Sequence, residues 1–284
     1  MGSHPLPTPA TAEGKAGLDA LLAAPGRAVV ALDFDGTLAP IVDDPDQARA
    51  HPGAVPALSR LAPRVGSVAV ITGRPAALAV RYGGFAGVPG LERLVVLGHY
   101  GAERWDAATG DLDAPGSDPG VAAVRADVPA LLERLGVASA HIEEKGGRAV
   151  AVHTRRTADP EGVLEVLRGP LAELAGRHGL IVEPGRMVLE VRPPGIDKGV
   201  ALADYVRRSS ASAVLYAGDD LGDLAAFDGV ERLRAEGVPG VLVCSGSNEV
   251  TGLAARADLV VDGPTGVVGL LDALARQLSQ SASS

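Results

Sequence analysis

The sequence predicts an α/β protein, a doubly wound parallel sheet interrupted by an inserted α+β domain. Six short apolar runs alternate with helical patterns, and small or acidic residues follow each run directly. Such runs are typical of parallel strands that helices cover on both faces. Between the third and fourth runs, over about residues 104–190, the strands mix polar with apolar positions. An open α/β sheet binds ligands at the carboxyl ends of its strands, so the residues that follow the apolar runs are the functional candidates.

The elements of the predicted core and insert follow from these patterns in chain order. Core strands are expected at residues 29–32, 67–71, 94–97, 213–216, 240–243 and 259–261. Helices are expected at 55–61, 121–135 and 161–178, and a hairpin around Pro184-Gly185 at 180–191. We therefore expect a flexible leader at 1–14, a core at 15–103 and 191–278, an inserted cap at 104–190, and a flexible tail at 279–284. An insert at this place can act as a lid over the carboxyl edge.

Composition excludes several classes of function. The chain has 284 residues and a formal net charge of −9, which argues against nucleic acid or an anionic membrane as a partner. A single cysteine leaves no disulfide framework and no cysteine-based metal cluster. No signal peptide or membrane-spanning run is visible in the sequence. We expect a cytoplasmic protein, a monomer or weak homo-oligomer, that acts on a small molecule.

Two carboxylates and a glycine turn follow the first apolar run, in the segment Val29-Val30-Ala31-Leu32-Asp33-Phe34-Asp35-Gly36-Thr37. On a strand, residues i and i+2 share a face, so Asp33 and Asp35 are expected together at the carboxyl end. Like charges in close company raise the cost of ionisation. A divalent cation, a shared proton, or a division of labour between nucleophile and acid would account for the pair. The alternative is that the two aspartates only shape a turn or cap a helix.

Three further motifs follow apolar runs or open a helix. Thr72 follows the second strand, where its hydroxyl can hold a phosphate oxygen, and Lys198 opens a helix after the insert. The run Tyr216-Ala217-Gly218-Asp219-Asp220-Leu221-Gly222-Asp223 leads from a strand into three acids. Acidic residues at this position can stabilise the N-terminus of a helix by interacting with its dipole. Together with the first pair they favour a site for a hard cation, and oxygen ligands without His or Cys indicate Mg²⁺ rather than zinc.

The order of these motifs resembles the haloacid-dehalogenase (HAD) superfamily of phosphotransferases. The resemblance implies that Asp33 is the nucleophile, that Asp35 protonates the leaving oxygen and then activates water, and that Thr72 and Lys198 hold the phosphoryl group. The implied magnesium ligands are Asp33, Asp35 through its backbone carbonyl, Asp219 and Asp220, supported by Asp223. Implied substrate contacts within the core are Asp33, Asp35, Thr37 and Arg74.

The insert is similar to that of the trehalose-6-phosphate phosphatase family. The likeness rests on four segments, residues 98–103, 143–145, 151–155 and 185–193. It implies contacts to sugar hydroxyls from Glu143, Lys145, Arg155, Arg186 and Glu190, and hydrolysis of trehalose 6-phosphate with Mg²⁺. The alternative for residues 143–145 is a solvated charged hairpin tip.

Three other functions stay open at this level. The substrate could be another sugar phosphate or a modified disaccharide phosphate. A phospho-acceptor signalling domain also uses clustered Asp, a Thr and a Lys on a parallel sheet, although Asp35 would hydrolyse its acyl phosphate quickly. A catalytically silent sugar-phosphate binding module is the third alternative, against which the intact acidic motifs argue.

Overall fold

A computed structural model describes residues 5–42, 44–114, 116–185, 187–246 and 251–281 of the chain. The described residues fall into two compact units, Met1–Ala114 with Asp197–Ser284, and Pro115–Ile196. The helices are α1 (Ala12–Ala23), α2 (Ala54–Leu61), α3 (Ala76–Gly83), α4 (Pro119–Arg134), α5 (Pro160–Arg177), α6 (Lys198–Arg208), α7 (Leu224–Ala235), α8 (Thr251–Ala254) and α9 (Gly263–Ser281). Among these described helices, none is both long enough and apolar enough to cross a membrane.

The larger unit is built on an eight-stranded sheet. Its strands are β1 (Ala28–Leu32), β2 (Ser67–Ile71), β3 (Leu94–Gly98), β4 (Glu103–Asp106), β5 (Leu112–Asp113), β10 (Ala213–Gly218), β11 (Gly240–Gly246) and β12 (Leu259–Asp262). They lie in the order β12-β11-β10-β1-β2-β3-β4-β5, and the pairs from β12 to β3 are all parallel. The six predicted core strands therefore form one parallel sheet, and the predicted fold class is confirmed.

Strand β1 is apolar at every position because it separates two cores. Val30 and Leu32 belong to one apolar cluster, which includes residues of α1, α2, α3 and α9. Val29 and Ala31 belong to a second cluster on the opposite face, which includes residues of α6 and α7. All five residues of the strand are buried. The sheet is thus covered on both faces, as its unbroken apolar runs require.

The smaller unit is an antiparallel sheet with two helices. Its strands are β6 (His141–Lys145), β7 (Ala149–His153), β8 (Ile181–Gly185) and β9 (Val188–Arg192), in the order β6-β7-β9-β8. Apolar residues of β7 and β9, among them Val150, Val152 and Leu189, form one core with residues of α4 and α5. In β9 the charged residues Glu190 and Arg192 alternate with apolar ones, as in a sheet with one face left polar.

The boundaries of the two units differ from the predicted ones. Residues 104–114 belong with the larger unit, because β4 pairs antiparallel with β3 and β5 with β4. Residues 191–196 belong with the smaller unit, since β9 extends to Arg192. An antiparallel extension of a parallel edge carries no separate apolar signal, so the sequence pattern placed the boundary too early.

Parts of both predicted terminal segments belong to helices of the larger unit. Helix α1 begins at Ala12, Thr11 Oγ1 accepts a hydrogen bond from Gly14 N at 2.9 Å, and the backbone N–H of Ala10 donates to Asp258 O at 2.8 Å. Residues 10–14 are therefore tied to the core rather than part of a leader. At the other end, α9 continues to Ser281.

Candidate active site

Three neighbouring strands end at the same edge of the large sheet and place the candidate side chains there. Asp33 follows β1, Thr72 follows β2 and Asp219 follows β10. The register aligns Leu32 with both Val70 and Ala217. The backbone N–H of Asp33 donates to the carbonyl of Ala217 at 2.8 Å, which extends the pairing one residue beyond β1. The order β10-β1-β2 puts Asp33 in the middle.

Lys198 supplies a buried positive charge to two carboxylates of this edge. Its Nζ lies 2.8 Å from Asp33 Oδ1 and 2.7 Å from Asp223 Oδ1. It is the first residue of α6, where the side chain of Asp197 caps the helix by accepting from Val200 N at 2.8 Å. The side chains of the three charged partners are almost fully buried. Water therefore screens the two ion pairs little.

Asp223 accepts four hydrogen bonds from described residues. Besides Lys198, its Oδ1 accepts from Tyr216 Oη at 2.6 Å, and its Oδ2 accepts from the backbone N–H of Asp219 at 2.8 Å and of Asp220 at 3.2 Å. These bonds hold the loop after β10 in place. The sequence predicted only a supporting role for Asp223.

The geometry of three acids fits a metal ion. Asp33, Asp219 and Asp223 each offer a carboxylate oxygen, and these oxygens lie within 4.8 Å of one another. Asp219 Oδ1 is buried and has no hydrogen-bond partner in the described part of the chain. A Cβ at Gly36, whose φ is +74°, would lie 1.9 Å from Asp219 Oδ2. The backbone therefore approaches this carboxylate so closely that only glycine fits, and the donor set suits a hard cation.

The charges of the cluster explain its pKa shifts. Burial raises the pKa of Asp33 well above its usual range, and the charge of Lys198 opposes this effect. Burial acts to lower the pKa of Lys198, but the charges of Asp223 and Asp33 outweigh it and raise that pKa well above the ordinary value. Burial, followed by the charges of Asp223 and Asp220, raises the pKa of Asp219 to about 8. A bound cation would favour the ionised form of each acid.

The carboxylates of Asp35 and Asp220 are not among the three whose oxygens lie within 4.8 Å of one another. For Asp35 the predicted ligand is the backbone carbonyl, and that role stays a prediction. The carboxylate of Asp35 pairs instead with Arg74, at 2.7 Å from Nε and 2.8 Å from Nη2. Strand β1 ends at Leu32, so Asp35 lies beyond the strand, where it forms an isolated β-bridge with Ala39. Asp220 Oδ1 accepts from Gly222 N at 2.8 Å and caps a short 3-10 turn, and the residue is exposed.

The two predicted threonines are both buried at this edge. Thr72 Oγ1 accepts from the backbone N–H of Arg74 at 3.1 Å, which shapes the turn after β2. Thr37 Oγ1 is buried and finds no hydrogen-bond partner among the described residues. Thr37 comes after β1 and Thr72 after β2. The hydroxyl of Thr37 can therefore still hydrogen-bond a ligand at this edge.

Comparison with known protein families shows which family the chain belongs to. The sequence profile described as trehalose-phosphatase matches residues 31–261. The chain belongs to the trehalose-phosphatase family. All the acids of the larger unit discussed above lie inside that match, and so does the whole smaller unit.

Relatives and solved structures agree with the family assignment. The chain is 37% identical over 261 residues to the trehalose-phosphate phosphatase of Mycobacterium avium (strain 104) and 36% identical over 263 residues to that of Mycolicibacterium paratuberculosis, with 88% of the chain covered in both cases. It spans 63% of the length of each of these relatives. A trehalose-6-phosphate phosphatase structure from Aspergillus fumigatus is 26% identical, with a TM-score of 0.69 over 95% of this chain and 99% of that one.

Two further comparisons concern the fold alone. The C-terminal domain of the C. albicans trehalose-6-phosphate phosphatase aligns with a TM-score of 0.73 at 22% identity, and it covers 95% of this chain and 99% of its own. A haloacid dehalogenase-like hydrolase from Bacteroides thetaiotaomicron aligns with a TM-score of 0.57 at 17% identity. The chain therefore has an HAD-type fold.

In the smaller unit, the predicted sugar contacts of this trehalose-phosphatase family member form two side-chain pairs. Lys145 Nζ hydrogen-bonds Glu190 Oε2, and Glu190 Oε1 is buried without a partner in the described residues. Glu143 Oε2 lies 2.7 Å from His153 Nε2, and this hydrogen bond lowers the pKa of Glu143. Arg155 is exposed, and Arg186 lies outside the described residues.

Sequence reasoning missed several partners of these residues. Tyr216 supports Asp223, His153 pairs with Glu143, and the ring of Tyr82 packs against the Arg74 guanidinium with 5.3 Å between its centroid and Cζ. Ser245 Oγ donates to the carbonyl of Gly36 at 2.7 Å. Tyr216 and Ser245 follow from the strand register, because each lies near the carboxyl end of a core strand. For Tyr82 no local pattern was available.

Proposed function

We propose that this chain is a Mg²⁺-dependent phosphatase that hydrolyses trehalose 6-phosphate to trehalose and phosphate. The observation that carries the proposal is the buried contact between Asp33 and Lys198 beside two further acids, within a chain of the trehalose-phosphatase family. A carboxylate that contacts a buried ammonium group at the carboxyl edge of a parallel sheet is suited to nucleophilic attack. Phosphoryl transfer needs mainly positioning and charge neutralisation.

In the first half-reaction, an oxygen of Asp33 forms a bond to phosphorus while the ester oxygen leaves with the proton of Asp35. In the second, Asp35 takes a proton from water, and the water oxygen attacks phosphorus and releases Asp33. One acid–base residue thus serves both halves in opposite senses. Lys198 and Thr72 would hold phosphoryl oxygens. Mg²⁺ on Asp33, Asp219 and Asp223 would neutralise negative charge on the transferring group.

We assign recognition of the sugar to residues of the smaller unit. Glu190 has a buried acceptor oxygen without a partner in the described part of the chain, and a sugar hydroxyl is a suitable donor to it. Lys145 and Glu143 lie on β6 at alternate positions, so they share a face of the sheet. Arg155 and Arg186 complete the proposed set. Charge-assisted hydrogen bonds of this kind are strong and directional.

The expected setting of the enzyme follows from its charge. With a formal net charge of −9, the chain repels nucleic acid and anionic membranes. We propose that it acts in the cytoplasm, as a monomer or weak homo-oligomer, on a small sugar phosphate.

A panel of phosphate esters tests the proposed function. Phosphate release is measured from trehalose 6-phosphate, sucrose 6-phosphate and glucose 6-phosphate, with Mg²⁺ and with EDTA. We expect the highest kcat/KM for trehalose 6-phosphate and loss of turnover in EDTA. Equal kcat/KM for trehalose 6-phosphate and glucose 6-phosphate would contradict the proposed substrate. Release from none of the esters, together with tight sugar-phosphate binding, would identify a binding module instead.

A further inference from the structure

The guanidinium of Arg74 holds the carboxylate of Asp35 by two hydrogen bonds. Arg74 Nε donates to Asp35 Oδ2 at 2.7 Å, and Nη2 donates to Oδ1 at 2.8 Å. Parallel bonds of this kind fix the orientation of a carboxylate as well as its position. We propose that Arg74 is a positioning residue for Asp35, the acid–base group of the proposed function on which this inference rests.

Arg74 is itself held on several sides. Its Cζ lies 5.3 Å from the centroid of the Tyr82 ring, within the range of a cation–π contact. Tyr82 is 5% exposed, and its hydroxyl donates to Asp46 Oδ1 at 3.0 Å. The backbone N–H of Arg74 donates to Thr72 Oγ1 at 3.1 Å. A series of contacts therefore runs from Asp46 through Tyr82 and Arg74 to Asp35.

The two partners differ in exposure. The side chain of Arg74 is 15% exposed, whereas that of Asp35 is 39% exposed. Arg74 is thus the fixed member, and it presents a carboxylate with free surface to solvent or to a substrate. A lysine could not replace it, because an ammonium is a point charge and cannot fix a carboxylate through two parallel bonds.

This role differs from the one predicted from sequence, which was direct contact with the substrate. Two of the five N–H donors of Arg74 are used by Asp35. A direct ligand of the phosphoryl group would affect every phosphate ester alike, because all esters share that group. A residue that positions the acid affects chiefly those esters whose leaving oxygen needs a proton.

That difference can be measured with two esters of the same phosphoryl group. In the first half-reaction, Asp33 bonds to phosphorus, the ester P–O bond breaks, and the proton of Asp35 goes to the leaving oxygen. A sugar alkoxide requires this proton. The p-nitrophenolate anion leaves without one. Single-turnover release of the leaving group reports this step alone, apart from the later hydrolysis of the acyl phosphate.

The experiment compares Arg74→Gln and Arg74→Lys with the control Arg81→Gln, with Mg²⁺ present throughout. Arg81 stacks on the same Tyr82 ring at 5.0 Å, whereas the contacts to Asp35 come from Arg74. For trehalose 6-phosphate we expect both Arg74 variants to lose at least about 100-fold in the rate of trehalose release. For p-nitrophenyl phosphate we expect a loss of less than about tenfold, and the control should stay within about threefold for both esters.

Equal losses for the two esters, or a raised KM with unchanged kcat, would overturn the positioning role and identify Arg74 as a ligand of the phosphoryl group. If only Arg74→Gln fails to fold, Arg74→Lys decides, because it keeps the charge but loses the second parallel bond. Failure of the proposed function would be visible in the unaltered protein, which would then release neither leaving group. That result would overturn this inference as well.

Discussion

Lys198 and Asp223 form a buried ion pair, with 2.7 Å between Nζ and Oδ1, and both side chains are almost inaccessible to water. Lys198 also lies 2.8 Å from Asp33 Oδ1. One cation thus faces two acids. Without it, two buried carboxylates would stand side by side with no charge to balance them.

Replacing Lys198 by methionine should therefore reduce stability as well as activity. Removal of one partner from a buried ion pair costs about 3–5 kcal/mol, because the other charge stays buried. We expect the free energy of unfolding, measured by urea titration with EDTA present, to fall by that amount. Lys15→Met, at an exposed position of α1, is the control and should change the free energy by less than about 0.5 kcal/mol. Unchanged stability of Lys198→Met would show that the pair is not buried as described.

Gly36 should resist substitution by alanine for a reason beyond its backbone angle. A Cβ there would lie 1.9 Å from Asp219 Oδ2 at a φ of +74°, whereas at Gly84 (φ +66°) nothing lies within 4 Å. Both Ala variants carry the cost of a left-handed backbone, about 1–2 kcal/mol, but only Gly36→Ala displaces Asp219. We expect Gly36→Ala to lose Mg²⁺ affinity by at least about tenfold in a calorimetric titration, and Gly84→Ala to keep it. Equal Mg²⁺ affinities of Gly36→Ala and Gly84→Ala would show that Asp219 is not part of the metal site.

Tyr216→Phe tests the support of Asp223. Tyr216 Oη donates to Asp223 Oδ1 at 2.6 Å in a fully buried setting, and Tyr205 Oη donates to Ser67 Oγ at 3.0 Å in a partly buried one. A hydrogen bond to a charged group contributes about 1.5–3 kcal/mol, against about 1 kcal/mol for a neutral pair. We expect thermal unfolding to show a larger destabilisation for Tyr216→Phe than for Tyr205→Phe. The reverse order would contradict the network around Asp223.

The metal-free protein should lose stability as pH rises, owing to Asp219. Its pKa is about 8 in the folded chain, against an ordinary value of 3.8. The folded state therefore binds this proton more tightly than the unfolded state does. The contribution of Asp219 to stability is fully present below pH 3.8 and is lost as the pH rises through about 8.

In EDTA, we expect the Tm of the unaltered protein to fall relative to that of Asp219→Asn between about pH 5 and about pH 9. Asp219→Asn cannot titrate there, so it serves as the reference. A difference in Tm that stays constant across this range would show that Asp219 titrates normally. Mg²⁺ should reduce the slope, because the ion stabilises the ionised carboxylate.

Much of the core was predictable because its signals are local. Six buried runs gave six parallel strands, and Asp33, Lys198 and Asp219 were identified because each stands directly after a strand or at a helix start. The side chain of Asp35 was not predictable in this way. Strand alternation placed it beside Asp33, but the strand ends at Leu32, and its partner Arg74 comes from a different loop.

The smaller unit shows a second limit of local patterns. Pro184-Gly185 predicted a turn, yet both residues belong to β8, where Pro184 is aligned with Leu189 and Gly185 with Val188. Because β8 is an edge strand, proline is tolerated there without loss of a ladder donor. Whether a proline stands in a turn or at an edge depends on strand order, which is a property of the whole sheet.

The most direct test of the central claim is detection of a phosphoryl group on Asp33 during turnover. The protein is mixed with Mg²⁺ and trehalose 6-phosphate, quenched in acid within the first turnover, digested, and analysed by mass spectrometry. We predict a phosphorylated peptide that contains Asp33. In Asp33→Asn, both this peptide and the release of phosphate should be lost. Phosphate release without any such peptide, or with an equal amount of it in Asp33→Asn, would contradict the account.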